Sequence, residues 1–162
     1  KAAQDSGRDI RLNFAGGGPE AVRIAEISET TSFIEFRGVY DYALERDDLY
    51  GRADIIYAVY PQEVPNNRFH IARRFQEAVL LGIPIIVAAG SYMAEIVKES
   101  GVGWSVDSER PEALKELLLN IYDKQTSLRR CTEASLLVRD RYSFESYVNP
   151  LLDVLDAVAK SG

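Results

Sequence analysis

Apolar residues in the first two thirds of the chain follow two alternating patterns. The runs 10-IRLNFA-15, 33-FIEF-36, 54-DIIYAVY-60, 84-PIIVAA-89 and 103-GWSV-106 are short, rich in branched and aromatic residues and bounded by Gly, Pro or Asp, which predicts strands. Between them, 19-PEAVRIAEISE-29, the Tyr/Asp-rich stretch around 42–51, 71-IARRFQEAVLLG-82 and 91-SYMAEIVKES-100 repeat apolar residues at three- and four-residue spacing, which predicts helices. Strands alternating with helices build βαβ units, and the near-continuous apolar runs at 54–60 and 84–89 suit strands covered on both faces. The expected fold is therefore α/β: a Rossmann-like, doubly wound parallel sheet of about five strands with C-terminal helices.

Three helices are expected after it, 111–123, 125–142 and 144–160, with Pro150 starting or kinking the last. The opening 1-KAAQDSG-7 looks like the last turns of a helix and its glycine stop, so the first βα unit reads as truncated. A length of 162 residues points to one domain over 1–162.

Composition narrows the function classes. With 46% hydrophobic and 27% charged residues, and no repeat or low-complexity tract, the chain has ordinary globular usage. A net charge of -6 and a pI of about 4.9 argue against nucleic acid as a partner. The one basic concentration, Arg129, Arg130, Arg139 and Arg141, lies among helically spaced leucines and reads as a solvated helix face. Cys131 is the only cysteine, which excludes an intrachain disulfide and a cysteine-rich metal site and fits a reducing compartment. No apolar run approaches the roughly 18 residues of a membrane span, and the start has no signal-peptide anatomy. The expected location is cytoplasmic, which leaves room for peripheral membrane association of a full-length enzyme.

Three stretches can carry chemistry. The first, 15-AGGGP-19, ends a strand and opens a helix, where glycines let the backbone approach a ligand and free N–H groups await an anion. It is not GxGxxG, and a tight turn with no ligand explains it equally well. The second, 37-RGVY-40, follows the second strand at the end where open α/β sheets bind ligands, with the backbone of Gly38 and Val39 able to meet a base edge. A turn completed by the packing of Val39 and Tyr40 is its alternative. The third, 61-PQEVPNNRFHIARRFQEAVLLGIPIIV-87, runs through a polar loop with Pro65, Asn66, Asn67 and His70 into a helix. There Arg73 and Glu77 share a face, as a surface ion pair would. No glycosidase carboxylate pair, H-E-x-x-H, Walker A loop or EF-hand is present, and nothing visible requires a metal or a cofactor.

The ordered series AGGGP (15–19), FRGVY (36–40), ADIIYAVYP (53–61), RRFQEAVLLGIPIIV (73–87), EIVKESGVGWSVD (95–107) and PEALKELL (111–118) resembles the donor-binding half of GT-B glycosyltransferases of the retaining, glycogen-synthase-like branch, the glycosyl transferases group 1. The likeness covers most of residues 10–120, with the block from Arg74 to Val87 its strongest part. By that resemblance Glu77 matches the second glutamate of the family's E-x7-E motif, which accepts hydrogen bonds from the donor's ribose. The first glutamate falls at Phe69. Members with a Pro-Asn-Lys-type sequence show a similar departure, and Arg74 matches their lysine.

What the resemblance implies is a hexosyltransferase-type enzyme of glycan or polysaccharide biosynthesis that uses a UDP- or GDP-sugar. The donor residues would be Gly17, Gly38, Val39, Asn67, His70, Arg73, Arg74 and Glu77. Asn66, Asn67 and His70 would meet the sugar, and Arg73 or Arg74 at the helix start would meet the diphosphate. The Arg and Lys that usually clamp the diphosphate, and the amino-terminal acceptor domain, fall upstream of residue 1, so the chain alone is expected to be inactive. The alternative is a non-catalytic α/β small-molecule-binding or regulatory module; a receiver-like module would want clustered acids and a late lysine, and an epimerase further acids and histidines.

Overall fold

All five expected strands form, and every pairing among them is parallel. The computed structural model describes residues 7–160, so the expected helix end before Gly7 lies outside the described residues. In chain order the elements are β1 (Leu12–Phe14), α1 (Ala21–Thr30), β2 (Ile34–Phe36), α2 (Tyr42–Gly51), β3 (Ile56–Ala58), α3 (Pro65–Phe69), α4 (Arg73–Leu81), β4 (Ile85–Ala88), α5 (Tyr92–Ser100), β5 (Gly103–Val106), α6 (Pro111–Asp123), α7 (Gln125–Val138) and α8 (Phe144–Ala159). The strand–helix alternation read from the sequence is the alternation observed.

The strands pair as two sheets where one was expected: β1 with β2, and β3 with β4 and β5. Apolar runs mark a strand and its faces; they do not say which strand lies beside it. The chain correspondingly divides into two compact units, residues 1–52 and 53–162.

In the second unit β4 carries the core. Its residues alternate between two covered faces, as expected for a near-continuous apolar strand. Ile85 and Val87 join Phe75 and Val79 of α4 and Met93 and Val97 of α5. Ile86 joins Val106 and Ile121 on the other face, against Trp104, Leu114, Leu117 and Leu118. The middle strand is thus sandwiched between helices.

Three details differ from the expectation. The loop 61–72 contains α3, a helix too short to show a period, opened by Pro65 in its first turn. The helix expected over 125–142 ends at Val138, and Arg139–Tyr142 tightens into a 3-10 turn. That turn delivers Tyr142 edge-on to Phe75, with ring centroids 5.2 Å apart. Pro150 starts nothing: α8 runs through it, and Leu151, Leu152, Val154, Leu155 and Val158 are exposed.

Candidate functional site

In a parallel sheet all carboxyl ends lie at one edge, and the loops leaving that edge are where α/β folds place ligands. In the first unit these are the loops after Phe14 and Phe36, which face each other in register. The Gly16 N–H donates to the Gly38 carbonyl at 2.7 Å, and the Arg37 N–H to the Phe14 carbonyl at 2.9 Å. Gly16, Gly18 and Gly38 hold φ of 132°, 133° and 74°, values that side-chain-bearing residues rarely adopt. A Cβ on Gly17 would come within 3.1 Å of a Val39 methyl. The glycines therefore bring two stretches of bare backbone together, with Val39 exposed beside them.

Charge pairing secures this edge. Arg37 bonds to Asp48 and lies 3.2 Å from Glu45. The hydrogen bond from Arg37 holds the Asp48 carboxyl below its ordinary value, with Arg52 adding a smaller pull. Asp41 caps α2, accepting from the N–H groups of Ala43 and Leu44 at 2.8 and 3.3 Å.

In the second unit the loop after β3 braces itself with its own side chains. Asn67 donates through Nδ2 to the Pro61 carbonyl at 2.8 Å, Arg68 through Nε to Gln62 at 3.0 Å, and Gln62 through Nε2 to Tyr60 at 2.8 Å. His70 Nδ1 lies 3.1 Å from the Asn66 carbonyl. A carbonyl only accepts, so Nδ1 is the donor in this contact. The His70 ring meets Tyr60 edge-on at 5.3 Å.

Two helix starts adjoin at this edge. Ala72 precedes α4, and its N–H donates to the sulfur of Met93 in α5 at 3.4 Å. Ser91 caps α5 from a buried position, donating to the Ala88 carbonyl at 2.7 Å and accepting from the Ala94 N–H at 3.2 Å. The first amides of a helix lack intrahelical acceptors and sit at the positive end of its dipole, so two adjoining starts favour an anion more than one. Arg73 and Arg74, both exposed, stand in the first turn of α4. Arg73 Nε donates to Glu77 at 2.8 Å, the ion pair its spacing suggested, and the Glu77 side chain keeps only 13% of its exposure.

The sequence-predicted residues thus fall into two groups. Gly17, Gly38 and Val39 come together at the edge of the first unit, and Asn67, His70, Arg73, Arg74 and Glu77 lie on the loop and helix that follow β3. The helix at 91–100 was read from the sequence; that its start lies beside that of α4 was not. Ser91, ahead of an apolar repeat, marks where that helix begins but not what lies beside it.

Residues 1–137 match the model of the glycosyl transferases group 1. The chain belongs to that family. No curated protein matches it. Among solved structures it is similar to the glycosyltransferase from Rickettsia africae ESF-5, at 16% identity and a TM-score of 0.72, over 99% of this chain and 43% of that one. It is also similar to Anabaena Alr3699/HepE, crystallised in complex with UDP, at 16% identity and a TM-score of 0.66, over 91% of this chain and 41% of that one. At that identity the likeness shows the fold, which is Rossmann-like. The chain spans less than half the length of either protein. No helix among the described residues is long and apolar enough to cross a membrane.

Proposed function

We propose that this chain binds the nucleotide-diphosphate sugar of a glycosyltransferase, and that the transferred glycosyl group passes to an acceptor held by further sequence. The family match carries the reading, because residues 1–137 take in both glycine loops and the basic helix start. Bare backbone at Gly17, Gly38 and Val39 suits a base edge. The adjoining starts of α4 and α5, with Arg73 and Arg74, suit a diphosphate whose charge grows as the glycosidic bond breaks. Glu77, four residues after Arg73, suits ribose hydroxyls.

Uridine is the base favoured over guanosine, because UDP occupies the Anabaena neighbour. Hexosyl transfer, glycan or polysaccharide biosynthesis and a cytoplasmic setting complete the proposal. The neighbours are more than twice as long, so an acceptor-binding part is expected outside these residues, and the chain alone is expected to transfer no sugar.

Calorimetric titration of UDP and GDP against Glu77→Ala tests the donor site. A carboxylate that accepts ribose hydrogen bonds is worth about 1.5–3 kcal/mol, so affinity should fall roughly ten- to a hundred-fold. If Glu77 only pairs with Arg73, nucleotide affinity stays unchanged and the melting temperature alone shifts slightly. Equal affinity in both proteins, where the wild type clearly binds, would sink the donor site.

A further inference from the structure

A nucleotide sugar has four parts with different chemistry: a planar base, a ribose, an anionic diphosphate and a glycosyl ring. The proposed function assigns the first three, and the inference rests on that reading. The glycosyl group is bonded to the terminal phosphate, so anything that holds the phosphates at the start of α4 fixes the sugar close by. The segment that leads into that start is 64–72.

Its chemistry is unusual for a surface meant to hold hydroxyls. From Val64 to Gln76 there is no carboxylate. Three polar side chains turn back onto the loop: Asn67 to Pro61, Arg68 to Gln62, and His70 to Asn66. Those braces fix the loop while leaving the Phe69 ring 75% exposed, two residues from Ile71 and four from Arg73. A phenyl ring held in water gains from any apolar surface laid on it. The glycosyl ring, the donor part left unassigned, presents such a surface next to the phosphates, through its C–H face and through any methyl group it carries.

We propose that Phe69 is the platform for the glycosyl ring, and that the donor sugar bears an apolar substituent: the methyl of an N-acetyl group or of a 6-deoxy sugar. Such a site selects by the fit of a face and a methyl against the ring, where a carboxylate would select by hydroxyl pattern.

The test compares nucleoside diphosphates with their sugars on the wild type, Phe69→Ala and Phe69→Trp. UDP, UDP-glucose and UDP-N-acetylglucosamine form one set; GDP, GDP-mannose and GDP-fucose form the other. The expected result is that Phe69→Ala binds the bare diphosphate within about twofold of wild type. It should bind the acetamido or deoxy donor about tenfold more weakly, while Phe69→Trp retains that donor. The exposed position makes a folding defect unexpected, and thermal melts check it. A donor weakened no more than its bare diphosphate, or a wild type that prefers glucose or mannose, overturns the inference and leaves the donor-binding reading standing. A wild type that binds neither UDP nor GDP overturns both.

Discussion

Every fully buried side chain among the described residues lies between Ala58 and Ser135; residues 7–52 contain none. The contrast is sharpest strand by strand. All four residues of β4 are buried, whereas all three of β1 are exposed. The second unit excludes water with two apolar layers. The first relies on a short ladder, the bond from Gly16 to Gly38, the cap at Asp41 and the cations and carboxylates around Arg37. Even the titratable groups divide this way. Burial raises the values of Tyr57, Cys131 and Tyr142 in the second unit, while pairing shifts Arg11, Arg37 and Asp48 in the first. The basic helix start at Arg73 is thus mounted on close-packed core, and the glycine loops on hydrogen bonds and charge.

The strongest way to break this comparison is to hollow each unit. Phe75 is wholly buried against Tyr142, so Phe75→Ala should cost about 3–5 kcal/mol. Phe14 keeps 38% of its exposure, and Phe14→Ala should cost much less, about 1 kcal/mol. Urea unfolding of both variants decides the matter. Equal losses would show that the first unit hides a core that its exposure does not reveal.

The same contrast explains what was legible in the sequence. The unbroken apolar run at 84–89 announced a strand covered twice, and Ile85, Ile86 and Val87 are its two faces. β1, with Asn13 between Leu12 and Phe14, was still found, because Gly16 bounds it. Pairing was not legible, since ladder partners lie far apart in sequence and leave no local period. α3 escaped because five residues make barely more than one turn, although Pro65 marked its start. Of the candidate site, the ion pair between Arg73 and Glu77 followed from i, i+4 spacing. The sulfur contact from Ala72 to Met93 joins positions 21 apart, and nothing at either position announces it.

A smaller effect comes from the two helix caps, one in each unit. Ser91 is buried, and removing its hydroxyl leaves the Ala88 carbonyl and the Ala94 N–H with only their bonds to the Ser91 backbone and no water to replace the lost ones. Ser91→Ala should cost about 2 kcal/mol. Asp41 is exposed, so water can take over at Ala43 and Leu44, and Asp41→Ala should cost about 1 kcal/mol. Thermal melts of the two variants measure the difference, and a reversed order would contradict the contrast between buried and solvated halves.

The smallest effect is electrostatic and belongs to the first unit. The Asp48 carboxyl titrates below its ordinary value of 3.8, first because Arg37 donates a hydrogen bond to its charged form, then because the charges of Arg37 and Arg52 attract it. A group depressed in the folded state adds stability that is fully present above its unfolded value and is lost as pH falls through the folded one. The loss should therefore begin below about pH 4 and act on the end of β2 and on α2, while the layers around β4 stay unaffected. High salt should weaken the pair, since it is exposed. A carboxyl-carbon NMR titration reads the group directly: Arg37→Ala should return Asp48 towards 3.8, and Arg52→Ala should move it in the same direction by less. If Asp48 already titrates at its ordinary value in the wild type, the ion pair does not hold the glycine-loop edge in solution, and the ladder and the Asp41 cap alone must account for its order.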